Sequence, residues 1–207
     1  MAKHLPIAVF LSGRGSNFQA ILKSIQSGAV EADIKVVVSD NPQAAGLEIA
    51  KKAGILTWSK KIGDFDSKSD YEAEIVALLQ AQGVDLLVLA GYMRLVEDTL
   101  LNAYWGKIIN IHPSLLPAFK GLNTHKRALD FGVKFVGCTV HFIDRTLDEG
   151  FIISQAVVPV LPSDTEETLT QKVLEQEHQL LPQAIQWIAE GRLEIQGKQV
   201  IIKEYVQ

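Results

Sequence analysis

The chain has 207 residues, a formal net charge of −4 and 47% apolar residues, enough to bury a sizeable core without cross-links. The pI of about 5.7 and the lack of any dense Lys/Arg cluster argue against a nucleic-acid-binding surface, which carries a basic face or tail. Cys138 is the only cysteine, which excludes an internal disulfide and any cysteine-based zinc finger.

The first apolar run, residues 7–11, is too short for a signal h-region or a membrane span. The expectation is a soluble, cytoplasmic protein of one domain with neither a membrane nor a nucleic-acid partner. Small anionic ligands remain open to it, because backbone N–H groups bind anions without net positive charge.

Short continuous apolar blocks at 7–11, 34–38, 86–90 and 107–111 have the composition of parallel strands covered on both faces. Helical patterns lie between them. After Ser69, the spacing of Tyr71, Ile75, Leu78 and Leu79, with a stop at Gly83, predicts a helix with one apolar face. Strand and helix alternate to about residue 130, the pattern of right-handed βαβ crossovers in an α/β, doubly wound, mostly parallel open sheet.

The second half differs. Residues 133–143 and 152–161 read as strands joined by a polar loop, able to pair antiparallel. Ser163-Asp164-Thr165-Glu166-Glu167 then predicts an N-cap with a capping-box carboxylate. The helix that follows runs to about Gly191, with Pro182 as a kink or break. Residues 193–202 read as a hairpin turning near Gly197-Lys198. The division expected within the single domain is a Rossmann-like half, 1–105, and a second half, 106–207.

After the first strand, Ser12-Gly13-Arg14-Gly15-Ser16-Asn17 opens directly into a helix. Glycines allow close backbone approach, and the N–H groups of a helix start favour a phosphate. A dinucleotide fingerprint would place a third glycine where Phe18 stands, although Asp40 at the end of the second strand supplies the acid such a site uses. Gly15, Ser16 and Asn17 suit a single phosphate better. The alternative is a tight strand-to-helix turn with no ligand.

The segment Ile108-Ile109-Asn110-Ile111-His112-Pro113 is the most informative. Strand residues two apart share a face, so Asn110 and His112 project together. Pro113 ends the ladder and leaves both at the carboxyl end of the strand, where open α/β sheets bind ligands. An amide donor beside an imidazole can stabilise an oxyanion and move a proton. The plain alternative is two satisfied polar groups closing a strand. The loop 144–150 offers carboxylates, and one near the imidazole would favour its protonated form and fix its orientation. Spacing alone leaves Asp144 and Asp148 as equal choices.

On the long C-terminal helix, Leu169, Val173, Leu180, Leu181, Ala184 and Ile188 form the apolar stripe. At about 100° per residue Glu177 falls in its middle, where a carboxylate needs a donor or a ligand. His178 lies off the stripe and reads as peripheral.

Together these motifs resemble the phosphoribosylglycinamide formyltransferases, folate-dependent enzymes of purine synthesis. The matching stretches are Leu11-Ser12-Gly13-Arg14-Gly15-Ser16-Asn17, Leu89-Ala90-Gly91-Tyr92-Met93-Arg94, Ile109-Asn110-Ile111-His112-Pro113-Ser114-Leu115-Leu116-Pro117 and residues 144–150. Similarity continues through Gln176-Glu177-His178 to Gly191-Arg192-Leu193, nearly the whole chain.

The resemblance implies formyl transfer from 10-formyltetrahydrofolate, a co-substrate, to glycinamide ribonucleotide, with no metal and a monomer or weak homodimer. It implies Asn110, His112 and Asp148 as the catalytic set, choosing Asp148 over Asp144. It assigns Gly15, Ser16 and Asn17 to the phosphate and Glu177 to the ribosyl substrate. Met93, Arg94, Leu95, Val96, Asn110, Ile143 and Asp144 correspond to folate-site residues, and Lys68 to a basic position grouped with them. A cis bond is implied at Leu116-Pro117.

Two departures stand out: Phe151 where a proline often follows the glycine, and Asn123 where a histidine often stands. Rivals are formyltetrahydrofolate deformylase, methionyl-tRNA formyltransferase and a nucleotide-binding regulatory domain without catalysis. The first two carry an additional regulatory or RNA-binding region that the first strand's start at residue 7 and the short acidic chain argue against. The third has no reason to keep Asn110, His112 and Asp148 together.

Overall fold

The computed structural model describes residues 4–146 and 148–204. Residues 1–3 and Leu147, which belong to segments quoted above, lie outside the described residues, as do residues 205–207. Two compact units divide at Ile109/Asn110, four residues beyond the boundary expected from the sequence.

The first unit is built on parallel strands. β1 (Leu5–Leu11) pairs with β2 (Ala32–Ser39) on one side and β4 (Leu86–Leu89) on the other, and β2 pairs with β3 (Leu56–Ser59). Val9, Phe10, Leu11, Val37, Val38, Leu87 and Val88 are buried without alternation, as strands covered on both faces require. Helices α1 (Ser16–Gln26), α2 (Ala45–Lys52) and α3 (Lys68–Ala81) lie in the crossovers. Ser67 caps α3 by accepting from the Asp70 amide, and Tyr71, Ile75 and Leu79 are buried on it as their spacing requires. α4 (Asp98–Ala103) is a short helix leading to β5 (Ile108–His112).

In the second unit, β6 (Phe135–Phe142) and β7 (Ile152–Pro159) pair antiparallel. α5 (Thr124–Phe131) and α6 (Glu166–Ala189) complete it, together with a hairpin of β8 (Leu193–Gln196) and β9 (Gln199–Ile202). Val136, Cys138 and Val140 of β6 and Leu169, Val173, Leu181, Ala184 and Ile185 of α6 are buried. Leu180 and Ile188, also on the expected stripe, are only half-buried.

Two local expectations change. The N-cap of α6 is Thr165, and its reciprocal partner is the Thr168 hydroxyl rather than a glutamate. A hydroxyl both donates and accepts, so it closes the box as well as a carboxylate does. Pro182 lies inside a helix assigned without interruption.

Among the described residues, seven strands are hydrogen-bonded in the order β3-β2-β1-β4-β5-β6-β7, with β8-β9 as a separate pair. The fold is a mostly parallel, Rossmann-like α/β sheet with an antiparallel element late in the chain. No helix among the described residues is long and apolar enough to cross a membrane.

Candidate functional site

β5 delivers Asn110 and His112 at its carboxyl end. His112 is 5% exposed. Its Nε2 lies 3.1 Å from the Phe119 carbonyl. A carbonyl only accepts, so Nε2 is a donor. Its Nδ1 is 3.5 Å from Asp148 Oδ2. Asp148 is 7% exposed, and the same oxygen accepts from the Gly121 amide at 2.9 Å.

Asp148 takes φ 52, a left-handed backbone that short polar side chains tolerate at some cost. Two residues on, a Cβ on Gly150 would stand 1.7 Å from the Phe142 carbonyl oxygen. Only glycine lets the loop pass that close to the end of β6.

Asp144, the other acid of the loop, has a different task. Its Oδ1 accepts from the Thr146 amide at 2.8 Å, an Asx-type turn. Geometry therefore brings Asp148 to the imidazole and leaves Asp144 shaping the loop, next to half-buried Ile143.

One residue of this cluster has no counterpart in the motifs. His141, fully buried on β6, places Nε2 at 3.3 Å from Asn110 Nδ2 and 3.8 Å from Asp148 Oδ1. Its Nδ1 lies 2.9 Å from the Phe142 carbonyl and must be the donor there. Burial pushes the His141 pKa below its ordinary value, against the raising effects of the Phe142 carbonyl and Asp148. The neutral ring keeps a lone pair on Nε2, which accepts from the Asn110 amide. The available signal was a histidine inside the apolar run 133–143, a pattern that a satisfied core histidine shares.

Glu177 is 5% exposed on α6, as its helical phase requires. Burial, and secondarily the Glu177 charge, pushes the Cys138 thiol up to about 12, so this cysteine stays protonated and unreactive at neutral pH. His178 is half-buried rather than peripheral, and burial lowers its pKa. The Leu116-Pro117 bond is cis. Asn123 takes φ 55 just before α5, a conformation asparagine accepts readily. Phe151 engages β6 through its carbonyl, which accepts from the Phe142 amide at 2.9 Å; a proline there would keep that acceptor.

In the first unit, Gly15 takes φ 76 at the N-terminus of α1. A Cβ there would meet the Gly46 Cα at 2.8 Å, while the Gly46 amide donates to the Gly13 carbonyl at 3.1 Å. The loop is thus pressed onto the start of α2. No side chain caps α1 and no acid stands in its first turn. A helix start of this kind is suited to an anion. Ser16 begins the helix, and Asn17 and Phe18 are buried in it.

Asp40 is already engaged: Oδ1 accepts from Ser12 Oγ at 2.6 Å and Oδ2 from Arg94 Nε at 3.0 Å. Met93 and Leu95 are exposed and Val96 half-buried. Lys68 Nζ pairs with Glu97 Oε1 at 2.5 Å. Glu72, 5% exposed, accepts from the Glu97 and Leu100 amides at 2.7 and 2.8 Å. Burial raises its pKa, and those two backbone bonds oppose the rise. Among the described residues, no group of three or more His, Cys, Asp or Glu side chains is arranged to hold a metal ion.

Residues 5–185 match the family described as Formyl transferase. The chain is 41% identical over 189 residues to "Phosphoribosylglycinamide formyltransferase" of Escherichia coli (strain K12), covering 91% of this chain and 89% of that protein. It is 43% identical over 187 residues to "Trifunctional purine biosynthetic protein adenosine-3" of Drosophila melanogaster, covering 89% of this chain but 14% of that much longer protein.

Among solved structures, glycinamide ribonucleotide transformylase 1 from Symbiobacterium toebii superposes with a TM-score of 0.96 at 46% identity, covering 99% of this chain and 96% of that one. The similarity therefore extends over the Asn110–His112 strand end, the loop carrying Asp148 and the glycine loop before α1. The chain belongs to the formyl transferase family.

Proposed function

We propose that this enzyme transfers the formyl group of 10-formyltetrahydrofolate to the amine of glycinamide ribonucleotide, in purine biosynthesis. The observation that carries the proposal is the buried cluster at the end of β5: Asn110 held by His141, and His112 beside Asp148. Near-complete coverage of relatives named for this activity supports the same reading.

In the proposed reaction the amine nitrogen attacks the formyl carbon, and the carbonyl electron pair moves onto oxygen. The Asn110 amide donates to that oxyanion, and so does His112 Nε2 once its N–H turns from the Phe119 carbonyl, 3.1 Å away in the free protein. Collapse breaks the bond to N10 of the folate. The amine gives up a proton, which Asp148 helps pass to the leaving nitrogen. The uncapped start of α1, with Gly15, Ser16 and Asn17, holds the phosphate. Glu177 contacts the ribosyl part, and Lys68, Met93, Arg94, Leu95, Val96, Asn110, Ile143 and Asp144 the folate. Much of the acceleration is proximity, since both reactants are held. The protein acts in this reading as a cytoplasmic monomer or weak homodimer.

The test supplies 10-formyltetrahydrofolate with and without glycinamide ribonucleotide. Transfer that depends on the acceptor is expected. Equal release of tetrahydrofolate without it would make the protein a deformylase, and no release in either case a binding module. Asn110→Ala or His112→Ala should lower kcat by roughly 10²–10³; turnover within a few-fold of wild type would remove these residues from the mechanism.

A further inference from the structure

The segment from Tyr92 to Glu97 links β4 to α4 and holds the residues assigned above to the folate. Arg94, Leu95 and Val96 make no backbone–backbone hydrogen bond among the described residues, and Met93 and Leu95 are 67% and 69% exposed. A segment so poor in ladder bonds and burial has little to hold it from within. Its shape must come from its ends.

Both ends are clamped by side chains from elsewhere in the first unit. At the entrance, the Ser12 amide donates to the Gly91 carbonyl at 3.0 Å, and Ser12 Oγ accepts from the Met93 amide at 2.8 Å. The same hydroxyl donates to Asp40, whose other oxygen takes Arg94 Nε. At the exit, the N-cap residue Glu97 makes no side-chain cap of its own. Glu72, reaching across from α3, supplies the cap with both oxygens. A buried carboxylate is costly to hold, and here it is used on two amides at the end of one exposed segment. Glu72, Tyr71, Tyr92, Met93, Arg94 and Lys68 also line a cavity of about 240 Å³.

We propose that Glu72 and the Ser12–Asp40 pair are positioning residues for folate binding, acting through the shape they give residues 93–96. The inference rests on the proposed function, which assigns that segment to the folate. The clamp side chains bond to Asp40, Arg94 and the amides of Met93, Glu97 and Leu100 rather than to Gly15, Ser16 or Asn17, so their loss should be felt mainly by one substrate. Glu72→Gln replaces one carboxylate oxygen with an NH₂ that faces a backbone N–H, and Ser12→Ala removes the hydroxyl at the other end.

The experiment is a two-substrate steady-state analysis of the full chain, with melting temperatures measured alongside. Each clamp variant should raise the KM for 10-formyltetrahydrofolate roughly fivefold, the worth of one net hydrogen bond, with the KM for glycinamide ribonucleotide and kcat within about twofold. Met93→Asp, an exposed change within the segment, serves as the reference and should raise the same KM.

Should Met93→Asp weaken folate binding while Glu72→Gln and Ser12→Ala do not, the clamps do not position the segment and the folate assignment stands. Should Met93→Asp leave the folate KM unchanged, the assignment of the segment fails and the inference goes with it. Clamp variants that lower the melting temperature and change both KM values in parallel would show a merely structural role and overturn the proposal.

Discussion

Asn110 Nδ2 lies 3.3 Å from Nε2 of His141, and that contact decides which way the amide faces. A carboxamide can rotate by half a turn at little cost in the open. Against a neutral imidazole whose other nitrogen donates to the Phe142 carbonyl, only the amino group is accommodated. One Nδ2 proton goes to His141, and the second is left for an oxyanion.

His141→Ala should therefore lower kcat even though His141 is not assigned to the substrate. Freed rotation of Asn110 misplaces a donor, and misplacements of this size cost about 10²-fold. Single-turnover rates would show the loss in the chemical step. A kcat within a few-fold of wild type would mean that Asn110 is oriented by something else.

One buried and two half-buried histidines set a direction for pH dependence. Burial lowers the pKa of His141, His125 and His178 below 6.5. In the unfolded chain each takes a proton as the pH falls through about 6.5, while in the folded chain each stays neutral to lower pH. Their stability contribution is thus complete above that value and is lost progressively as pH falls towards the depressed folded values. Thermal melts from pH 8 to pH 5 should show a falling melting temperature below about 6.5. Replacing His178 by Gln, away from the reacting groups, should flatten part of that slope.

Gly150→Ala tests the path of the Asp148 loop. Its Cβ would lie 1.7 Å from a backbone oxygen of β6, which cannot give way as a flexible side chain can. Relief requires moving the loop, and Asp148 with it. A loss of about 1–3 kcal/mol in stability is expected, together with a fall in kcat larger than the loss of folded protein explains. Chemical denaturation and kinetics on the same preparation separate the two.

Gly15→Ala strains a left-handed residue by about 1–2 kcal/mol and pushes a methyl against Gly46. The loop must lift from α2, which should raise the KM for the phosphorylated substrate more than that for the folate. An equal rise in both would mean that the strain spreads beyond the loop.

The first unit was legible because its parallel strands are covered on both faces and therefore appear as unbroken apolar runs. β3 left no such run: Leu56 is exposed and Thr57 to Ser59 are only half-buried, so it lacks the pattern. Asn110 and His112 were legible as a pair from strand periodicity, and Glu177 from helical phase. Spacing alone left Asp144 and Asp148 equal because both lie in one polar loop; the family resemblance chose Asp148, and the backbone that turns it towards His112 is visible only in three dimensions. His141 was hidden because a histidine within an apolar strand reads as core until its partner across the sheet is known. Glu72 shares α3 with its neighbours Tyr71 and Ile75, and nothing local to the helix reveals that its two oxygens serve amides 25 and 28 residues away.

Asp40 closes a route that this type of sheet leaves open. An acid at the end of the second strand is where dinucleotide sites hold ribose hydroxyls, but here both oxygens are taken by Ser12 and Arg94. Phe18, fully buried in α1, stands where that fingerprint has its third glycine. Nicotinamide and flavin dinucleotides, abundant in most cells, would therefore meet an acid already engaged where they need a ribose anchor and a loop without their full glycine pattern. The enzyme should be indifferent to such competitors, and its rate set by its own substrates.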